Sequence, residues 1–181
     1  MIHAVLLAAA MAAVKPVDVA LDTSDGTIVV RLDPAHAPLT TQNFLRNAAR
    51  GAYAHGSFYR TVNKRTEPAA FEVIQGGAGP TGDPGAAPIA LEPTSKTGLH
   101  NVDGAIAMAR TADPNSATTE FFIDVGDARY LDAGGPLGPG YAVFGHVIRG
   151  MDVVRKIHDA PASGEQLTPP VRILRIRVLK T

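Results

Sequence analysis

Short apolar segments of strand-like pattern, separated by glycine and proline, recur along almost the whole chain and limit the choice of fold more than any other feature. The predicted strands cover residues 17–22, 27–32, 58–62, 71–75, 104–110, 120–125, 141–147 and 171–179. Two other segments space their apolar residues as a helix does: residues 40–50, with Thr40 and Thr41 as the expected N-terminal cap, and residues 150–158. Many short strands with two helices predict an antiparallel barrel or sandwich in one domain.

The turns between these segments differ greatly in length. Asp25-Gly26 predicts a tight hairpin between the first two strands. Residues 76–103 are rich in glycine and proline and show no periodicity, and loops longer than about 15 residues tend to be functional. The last predicted strand alternates apolar residues with arginines, apart from a slip at Ile173-Leu174.

Composition excludes several classes of function. The 181 residues, of which 45% are hydrophobic, suffice for one well-buried core. Lys+Arg and Asp+Glu both number 17, and a net charge of zero argues against a nucleic-acid-binding protein. The chain has no cysteine, which excludes disulfides, thiol catalysis and cysteine metal ligands. Its 6 histidines are scattered without close pairs, so we expect no metal site.

The first residues have the pattern of an export sequence. Residues 4–14 form an uninterrupted apolar run, which is too short to span a bilayer because a spanning helix needs roughly 20 such residues. The run contains Ala10-Met11-Ala12, which fits a cleavage site. We therefore predict a signal peptide over residues 1–13, a single domain over residues 14–181 and a periplasmic location. The alternative is a buried N-terminal helix in a cytoplasmic protein. No later segment is a candidate membrane span.

Two polar side chains stand among the apolar strands. Arg60 lies in the middle of the strand predicted at residues 58–62, and Gln75 ends the strand predicted at residues 71–75. A fixed cation beside apolar groups suits the binding of a neutral peptide bond. The chain shows no nucleophile–base pair. Residues 76–79 lack the Lys-Ser/Thr of a phosphate-binding loop, and we predict that they form a turn.

A set of ordered segments carries a resemblance to a known family. The segments are Phe58-Tyr59-Arg60, Val73-Ile74-Gln75-Gly76-Gly77, Ala105-Ile106-Ala107-Met108-Ala109-Arg110, Glu120-Phe121-Phe122-Ile123, Tyr130-Leu131-Asp132 and Tyr141-Ala142-Val143-Phe144-Gly145. From about Val17 to its C-terminus the chain resembles the cyclophilin-type peptidyl-prolyl isomerases, in particular the exported bacterial branch. The resemblance implies a mainly β fold, a closed eight-stranded antiparallel β-barrel capped by two α-helices.

The resemblance also implies a non-covalent catalyst of rotation about X-Pro bonds. Arg60 matches the catalytic arginine of the family, and Gln75 matches its site glutamine, which hydrogen-bonds the substrate backbone and orients Arg60. A guanidinium directed at the prolyl nitrogen stabilises the twisted bond, because that nitrogen regains its lone pair as the bond twists. This chemistry needs no cofactor.

The substrate pocket is implied in the same way. Phe122 matches the floor of the proline pocket and Leu131 one wall, and Val73 stands where the family usually has methionine. Phe121 alternates away from Phe122 and is expected in the core. The other implied substrate-binding residues are Phe71, Ala109, Arg110, Glu120 and Tyr130.

The chain departs from the family pattern beside this site. Residues 64–70 lengthen the spacing from Arg60 to Gln75 and are expected to bulge next to the pocket. Glu120 replaces the usual glutamine, and residues 134–140 contain no histidine at the family's histidine position. Tyr130 replaces the tryptophan that contacts cyclosporin in some members, so we expect weak cyclosporin binding.

The expected partners are unfolded or flexible polypeptides that contain proline, bound by a monomer. Two alternatives remain at this point. The first is a non-catalytic proline-peptide binding module or chaperone on the same barrel, which has no need of Arg60. The second is a small-ligand barrel of the lipocalin type, which requires a hollow interior and explains neither Arg60 nor Gln75.

Overall fold

The computed structural model describes residues 14–64, 70–80 and 82–180. The predicted signal peptide and most of the insert at residues 64–70 therefore lie outside the described residues. The strands are β1 (Val17–Thr23), β2 (Gly26–Leu32), β3 (Ser57–Val62), β4 (Val73–Gly77), β5 (Ala105–Met108), β6 (Phe121–Asp124), β7 (Ala142–Arg149), β8 (Ala162–Ser163) and β9 (Gln166–Val178). The helices are α1 (Pro38–Ala49), α2 (Thr94–Thr97) and α3 (Met151–His158), with a short 3₁₀ helix at Arg129–Leu131. None of the described helices is both long and apolar enough to cross a membrane.

The strands form one closed antiparallel sheet. Its order is β1-β2-β7-β5-β6-β4-β3-β9, and pairing of β1 with β9 joins the two ends. Closure removes the exposed edges of the sheet, which are sites of unwanted strand pairing in open sheets. The two-residue strand β8 pairs only with β9 and forms a small hairpin outside the ring. The predicted closed eight-stranded antiparallel barrel is confirmed.

Large apolar side chains fill the barrel. Phe44 of α1 packs with its ring centroid 5.5 Å from Phe121 and 5.4 Å from Phe144. Phe58 meets Phe121 edge-on at 5.7 Å, and such aromatic pairs contribute about 0.5–1.5 kcal/mol each beyond their buried area. Val154 of α3 belongs to the same fully buried core. The filled interior rules out the lipocalin-type alternative, and the burial of Phe121 confirms its predicted place in the core.

The N-terminus of α1 differs from the prediction. The helix begins at Pro38, whose missing N–H suits the first helical position, so Thr40 and Thr41 lie within its first turn and do not cap it. The cap comes from the long loop instead. The carboxylate of Glu92 accepts hydrogen bonds from the backbone N–H of Leu39 at 3.1 Å and of Thr40 at 2.8 Å. A carboxylate at this end also complements the helix dipole.

Parts of the predicted loop at residues 76–103 are regular. Gly76 and Gly77 continue β4 opposite Phe58 and Ser57, and they do not form the turn that the glycines suggested. A Cβ on Gly76 would lie 2.6 Å from the carbonyl oxygen of Ser57, so this close strand approach requires glycine. Further along, α2 and an isolated bridge between Ile89 and Ala117 fix the loop to the barrel.

The slip in the pattern of the last strand has a structural cause. Thr23 of β1 pairs with Ile173, whereas the adjacent Asp22 pairs with Arg175, so Leu174 is an extra residue in β9. This β-bulge lets Ile173 stay buried while Leu174 is 51% exposed. The two arginines that follow the bulge are exposed and bind Asp22, with Nε–Oδ2 distances of 2.8 Å for Arg175 and 3.0 Å for Arg177.

One buried carboxyl has no compensating partner in the described part of the chain. Asp124 ends β6 with 0% exposure, and neither of its carboxylate oxygens has a hydrogen-bond partner. Burial, followed by the negative charges of Asp132 and Asp103, holds the pKa of Asp124 well above its usual range. The folded protein therefore retains a proton at Asp124 at pH values where the unfolded chain has released it.

We predict that Asp124→Asn changes the pH dependence of stability. Because the native pKa is raised, the free energy of unfolding of the unsubstituted protein falls as pH rises from about 3.9, the unfolded pKa, towards the native value. Asparagine does not titrate, so the stability of the variant relative to the unsubstituted protein should improve across this window. Urea unfolding at steps from pH 4 to pH 8 measures the effect, and Asp127→Asn, on an exposed carboxylate, is the control. A stability difference that stays constant with pH would contradict the prediction.

Candidate functional site

A β-bulge in β3 brings two neighbouring side chains to the same place. Phe58 pairs with Gly76 and Arg60 pairs with Gln75, so Tyr59 is an extra residue in β3. In a regular strand, adjacent side chains point to opposite faces. The bulge instead allows both Tyr59 and Arg60 to contact Gln75 on the facing strand.

The guanidinium of Arg60 is held from two directions. Its Nη1 donates to Oε1 of Gln75 at 2.7 Å, and its Nε donates to Oε2 of Glu165 at 2.7 Å. The Arg60 side chain is 32% exposed, so one side of it remains open to a ligand. Both hydrogen bonds are short, and together they fix the plane of the guanidinium.

Gln75 is itself fixed by a buried hydroxyl and an acid. Its Nε2 donates to the Tyr59 hydroxyl at 3.0 Å, and that hydroxyl donates to Oε2 of Glu120 at 2.9 Å. Burial raises the pKa of the Tyr59 hydroxyl, so Tyr59 stays a neutral donor. Burial also raises the pKa of Glu120, against hydrogen bonds from Tyr59 and the backbone N–H of Gly79 that lower it. Hydrogen bonds thus run continuously from Glu120 through Tyr59, Gln75 and Arg60 to Glu165.

A pocket of about 200 Å³ with an apolar floor opens beside Arg60. Phe122 is 4% exposed and lies opposite Gln75 in the register of β4 and β6. The ring of Tyr141 meets Phe122 edge-on at 5.3 Å. The residues that line the pocket are Arg60, Phe71, Val73, Gln75, Ala109, Arg110, Phe122, Leu131 and Tyr141. The pocket therefore combines an apolar floor with a cation and an amide at its rim.

Arg110 also lines the pocket, and backbone carbonyl groups hold its side chain in place. Its Nε donates to the carbonyl oxygen of Gly140 at 2.9 Å, its Nη1 donates to that of Thr111 at 2.8 Å, and its guanidinium lies 4.7 Å from the centre of the Tyr141 ring. A cation over an aromatic face is attracted by the ring quadrupole. These contacts hold the side chain without any carboxylate among the described residues.

The structure brings most of the predicted site residues together. All of them line this pocket except Glu120 and Tyr130. Glu120 lies behind Tyr59 and lines a neighbouring cavity of about 240 Å³. Tyr130 is 37% exposed and stacks on Phe71 with centroids 6.0 Å apart, which places it at the outer edge of the pocket.

Sequence reasoning missed three residues of the site. Tyr141 lies between a glycine-rich loop and β7, and its place at the head of a segment that carries the family resemblance was the signal that could have identified it. Tyr59 could not be assigned because the bulge in β3 reverses its expected direction. Glu165 lies far from Arg60 in the chain, and only the path of β9 brings the two together. The described residues contain no group of three His, Asp or Glu side chains that could hold a metal ion.

Comparisons with known proteins agree with this geometry. The family model "Cyclophilin type peptidyl-prolyl cis-trans isomerase/CLD" matches residues 17–178. A peptidyl-prolyl cis-trans isomerase of Acinetobacter baylyi is 40% identical over 169 residues, which cover 88% of this chain and 84% of the relative. Peptidyl-prolyl cis-trans isomerase B of Escherichia coli is 38% identical over 141 residues, which cover 77% of this chain and 82% of the relative.

Solved structures share the fold. A cyclophilin-type isomerase of Cryptosporidium parvum superposes with a TM-score of 0.76 at 22% identity and covers 92% of this chain and 99% of its own. The same protein, crystallised in the presence of the dipeptide Ala-Pro, gives a TM-score of 0.74 at 23% identity, covering 91% of this chain and 99% of its own.

We predict that Tyr59→Phe breaks the hydrogen-bond chain without creating a large cavity, because the ring is retained. The change leaves Gln75 Nε2 and the Glu120 carboxylate without their shared partner, and a buried polar group left unpaired costs about 1–3 kcal/mol of stability. Because the Tyr59 hydrogen bond lowers the pKa of Glu120, this pKa should rise further in the variant. Urea unfolding and NMR titration of the Glu120 carboxyl measure the two effects. Tyr130→Phe, at an exposed hydroxyl, should change neither, and equal behaviour of the two variants would contradict the prediction.

Proposed function

The chain belongs to the cyclophilin-type peptidyl-prolyl cis-trans isomerase family, and from this premise we propose how its residues perform the reaction. It is a peptidyl-prolyl cis-trans isomerase that accelerates rotation about X-Pro bonds. Amide resonance sets a barrier of about 18–20 kcal/mol to this rotation, and no covalent bond has to form or break. The enzyme therefore acts by binding the twisted bond more tightly than the planar one.

The pocket beside Arg60 is the proposed site of the proline ring. Its floor is Phe122, and Val73 and Leu131 belong to the same buried apolar cluster. Phe71 closes the pocket towards the surface, where it stacks on Tyr130. Seating the ring against these side chains holds one end of the bond still while the chain on the other side turns. Ala109 and Arg110 at the rim contact the backbone on either side of the ring.

Arg60 is the proposed catalytic residue. As the bond twists, the prolyl nitrogen becomes a hydrogen-bond acceptor, and a donor aimed at it stabilises the twisted state with little effect on the planar one. The observation that carries this assignment is that Arg60 has two N–H groups committed to Gln75 and Glu165 while its side chain borders the apolar pocket. A guanidinium has five N–H groups, so donors remain for the substrate.

Gln75 is proposed to orient Arg60 and to bind the substrate backbone. Its Oε1 accepts from Arg60 and its Nε2 donates to Tyr59. An amide has two N–H donors and two lone pairs on its oxygen. One donor and one lone pair therefore remain for a peptide, in an amide whose orientation the two partners have already fixed.

We predict that Arg60→Ala lowers kcat/KM at least tenfold while the thermal midpoint of unfolding changes little. A loss of about 1.4 kcal/mol of transition-state stabilisation corresponds to a factor of ten. A protease-coupled prolyl-peptide assay measures the rate, and Arg175→Ala, on a 68% exposed arginine of β9, is the matched control. If Arg60→Ala retains the full rate, Arg60 is not catalytic. If both variants and the unsubstituted protein bind proline peptides but show no turnover, the chain acts as a binding module.

The proposed partners are unfolded or flexible polypeptides that contain proline, bound by a monomer. Support comes from the shape of the pocket and from the related fold crystallised in the presence of Ala-Pro. Weak cyclosporin binding is proposed on the basis of Tyr130, which offers a smaller apolar face than tryptophan and no indole N–H. Tyr130 lies at the edge of the pocket against Phe71, so a larger ring there would extend the apolar rim.

We predict that Tyr130→Trp tightens cyclosporin inhibition and leaves peptide turnover close to that of the unsubstituted protein. Turnover depends on Arg60, Gln75 and Phe122, which the change does not touch. Inhibition curves for the two proteins, with Tyr130→Phe as the control, measure the difference. Equal inhibition of all three proteins would show that the side chain at this position does not limit cyclosporin binding.

Export to the periplasm is the proposed location, with a cytoplasmic protein as the alternative. The apolar run at residues 4–14, ended by Lys15-Pro16, supports cleavage near Val14 ahead of β1 and a mature domain over residues 14–181. N-terminal sequencing of the protein from its native host tests this proposal. A product that retains Met1 or Ile2 would contradict it.

A further inference from the structure

We propose that Glu165 is a positioning residue for catalysis, which holds the Arg60 guanidinium in the orientation that X-Pro rotation requires. This inference rests on the proposed role of Arg60. Glu165 lies in the turn between β8 and β9, and its Oε2 accepts a hydrogen bond from Arg60 Nε at 2.7 Å. A charge-assisted hydrogen bond of this length is among the stronger contacts that an arginine makes.

The backbone places Glu165 firmly. Ser163 pairs with Gln166, so Gly164 and Glu165 form a two-residue hairpin loop. Gly164 has a φ of +59°, which a type II′ turn requires at its first central position. The carbonyl oxygen of Glu165 accepts a hydrogen bond from the Thr61 N–H at 2.8 Å. The acid is therefore anchored to β3 through its own backbone, one residue away from the arginine that its side chain holds.

The path of β9 explains why these residues meet. Phe58 pairs with Val171, yet Arg60, two residues further along β3, pairs with Gln166. The residues between these partners leave the ladder, and Leu167 among them is 3% exposed and belongs to the barrel core. The chain thus meets β3 at Arg60 through Gln166, leaves the ladder, and rejoins β3 at Phe58 through Val171. The hairpin is thus built into the barrel and is not a loose surface turn.

The two tethers on Arg60 divide its donors. Gln75 accepts a hydrogen bond from Nη1, and Glu165 accepts one from Nε. Within the described residues, both hydrogens on Nη2 remain uncommitted. With Gln75 alone, the guanidinium could rotate about that single contact, and its remaining N–H groups would lose their fixed direction. The Glu165 contact removes this freedom before the substrate arrives.

The position and the charge of the Glu165 carboxylate have opposite effects on catalysis by Arg60, and substitutions can separate these effects. The carboxylate fixes the guanidinium but also offsets part of its positive charge, which is the charge that stabilises the twisted bond. Glu165→Gln keeps a hydrogen-bond acceptor of similar length and removes the charge. Glu165→Ala removes both. A positioning role therefore requires that the two variants behave differently.

The experiment compares kcat and KM of Glu165→Ala and Glu165→Gln in the prolyl-peptide assay. Glu165→Ala should lower kcat about tenfold with KM changed less than about twofold, since misdirected donors affect the twisted state more than the bound planar one. Glu165→Gln should retain at least about a third of the kcat. Asp127→Asn, on a carboxylate that is 75% exposed, should leave both constants unchanged. Equal kcat for Glu165→Ala and the unsubstituted protein would overturn the inference.

A double-mutant cycle distinguishes this inference from the mechanism on which it rests. In the Arg60→Ala background, adding Glu165→Ala should lower kcat no further, because the residue that Glu165 positions is already gone. If Arg60→Ala is damaging and Glu165→Ala has no effect, only the positioning role fails. If Arg60→Ala has no effect, the catalytic role of Arg60 fails first. A further loss in the double variant, together with a lower thermal midpoint for Glu165→Ala, would show that Glu165 acts through fold stability instead.

Discussion

The hydrogen bond between Arg60 and Gln75 across β3 and β4 is the contact on which the site depends. It exists because the bulge at Tyr59 shifts the register by one residue, so that a tyrosine and an arginine adjacent in sequence both reach the same amide. The closed barrel supplies the rigid frame that this arrangement needs. A site on paired strands keeps its geometry better than one on loops, because each strand is fixed by ladders on both sides.

The order of donors and acceptors around this contact is consistent throughout. Arg60 can only donate and the two carboxylates, Glu120 and Glu165, accept when ionised. Gln75 and Tyr59 lie between Arg60 and Glu120. Gln75 accepts from Arg60 with its oxygen and donates to Tyr59 with its nitrogen, and Tyr59 in turn donates to Glu120. The donor Arg60 at one end of this chain and the acceptor Glu120 at the other therefore set the orientation of the Gln75 amide. Chains of hydrogen bonds with one direction polarise and strengthen one another in a low-dielectric interior.

The sequence was informative where side-chain alternation and turn chemistry act locally. The eight barrel strands, the α3 helix, the buried Phe121 and most pocket residues follow from short patterns and from ordered family segments, whereas β8 and the start of β9 at Gln166 do not. The start of α1 was wrong because its cap, Glu92, comes from a distant loop that no local pattern reveals. The turn predicted at residues 76–79 is wrong for Gly76 and Gly77, which pair in β4. Glycine also permits the close approach of a neighbouring strand, and that approach depends on a partner elsewhere in the chain. Such errors arise wherever a residue's partner lies far along the chain.

The same limit applies to the hydrogen-bond partners of Glu165 and Glu120 in the site. Glu165 lies beside Arg60 because β9 leaves the β3 ladder between Gln166 and Val171. The alternation of residues along a single strand does not predict such an interruption. Glu120, a predicted substrate-binding residue, lines the cavity next to the pocket, and its carboxylate accepts from the Tyr59 hydroxyl and from the backbone N–H of Gly79. A glutamine side chain also has an oxygen that accepts hydrogen bonds, so an acid at this position preserves the acceptor role. The burial that raises its pKa opposes ionisation, while an ionised carboxylate strengthens the bond from Tyr59. Compared with glutamine, the acid therefore holds Tyr59, Gln75 and Arg60 more firmly in their orientation, but its burial costs more desolvation free energy.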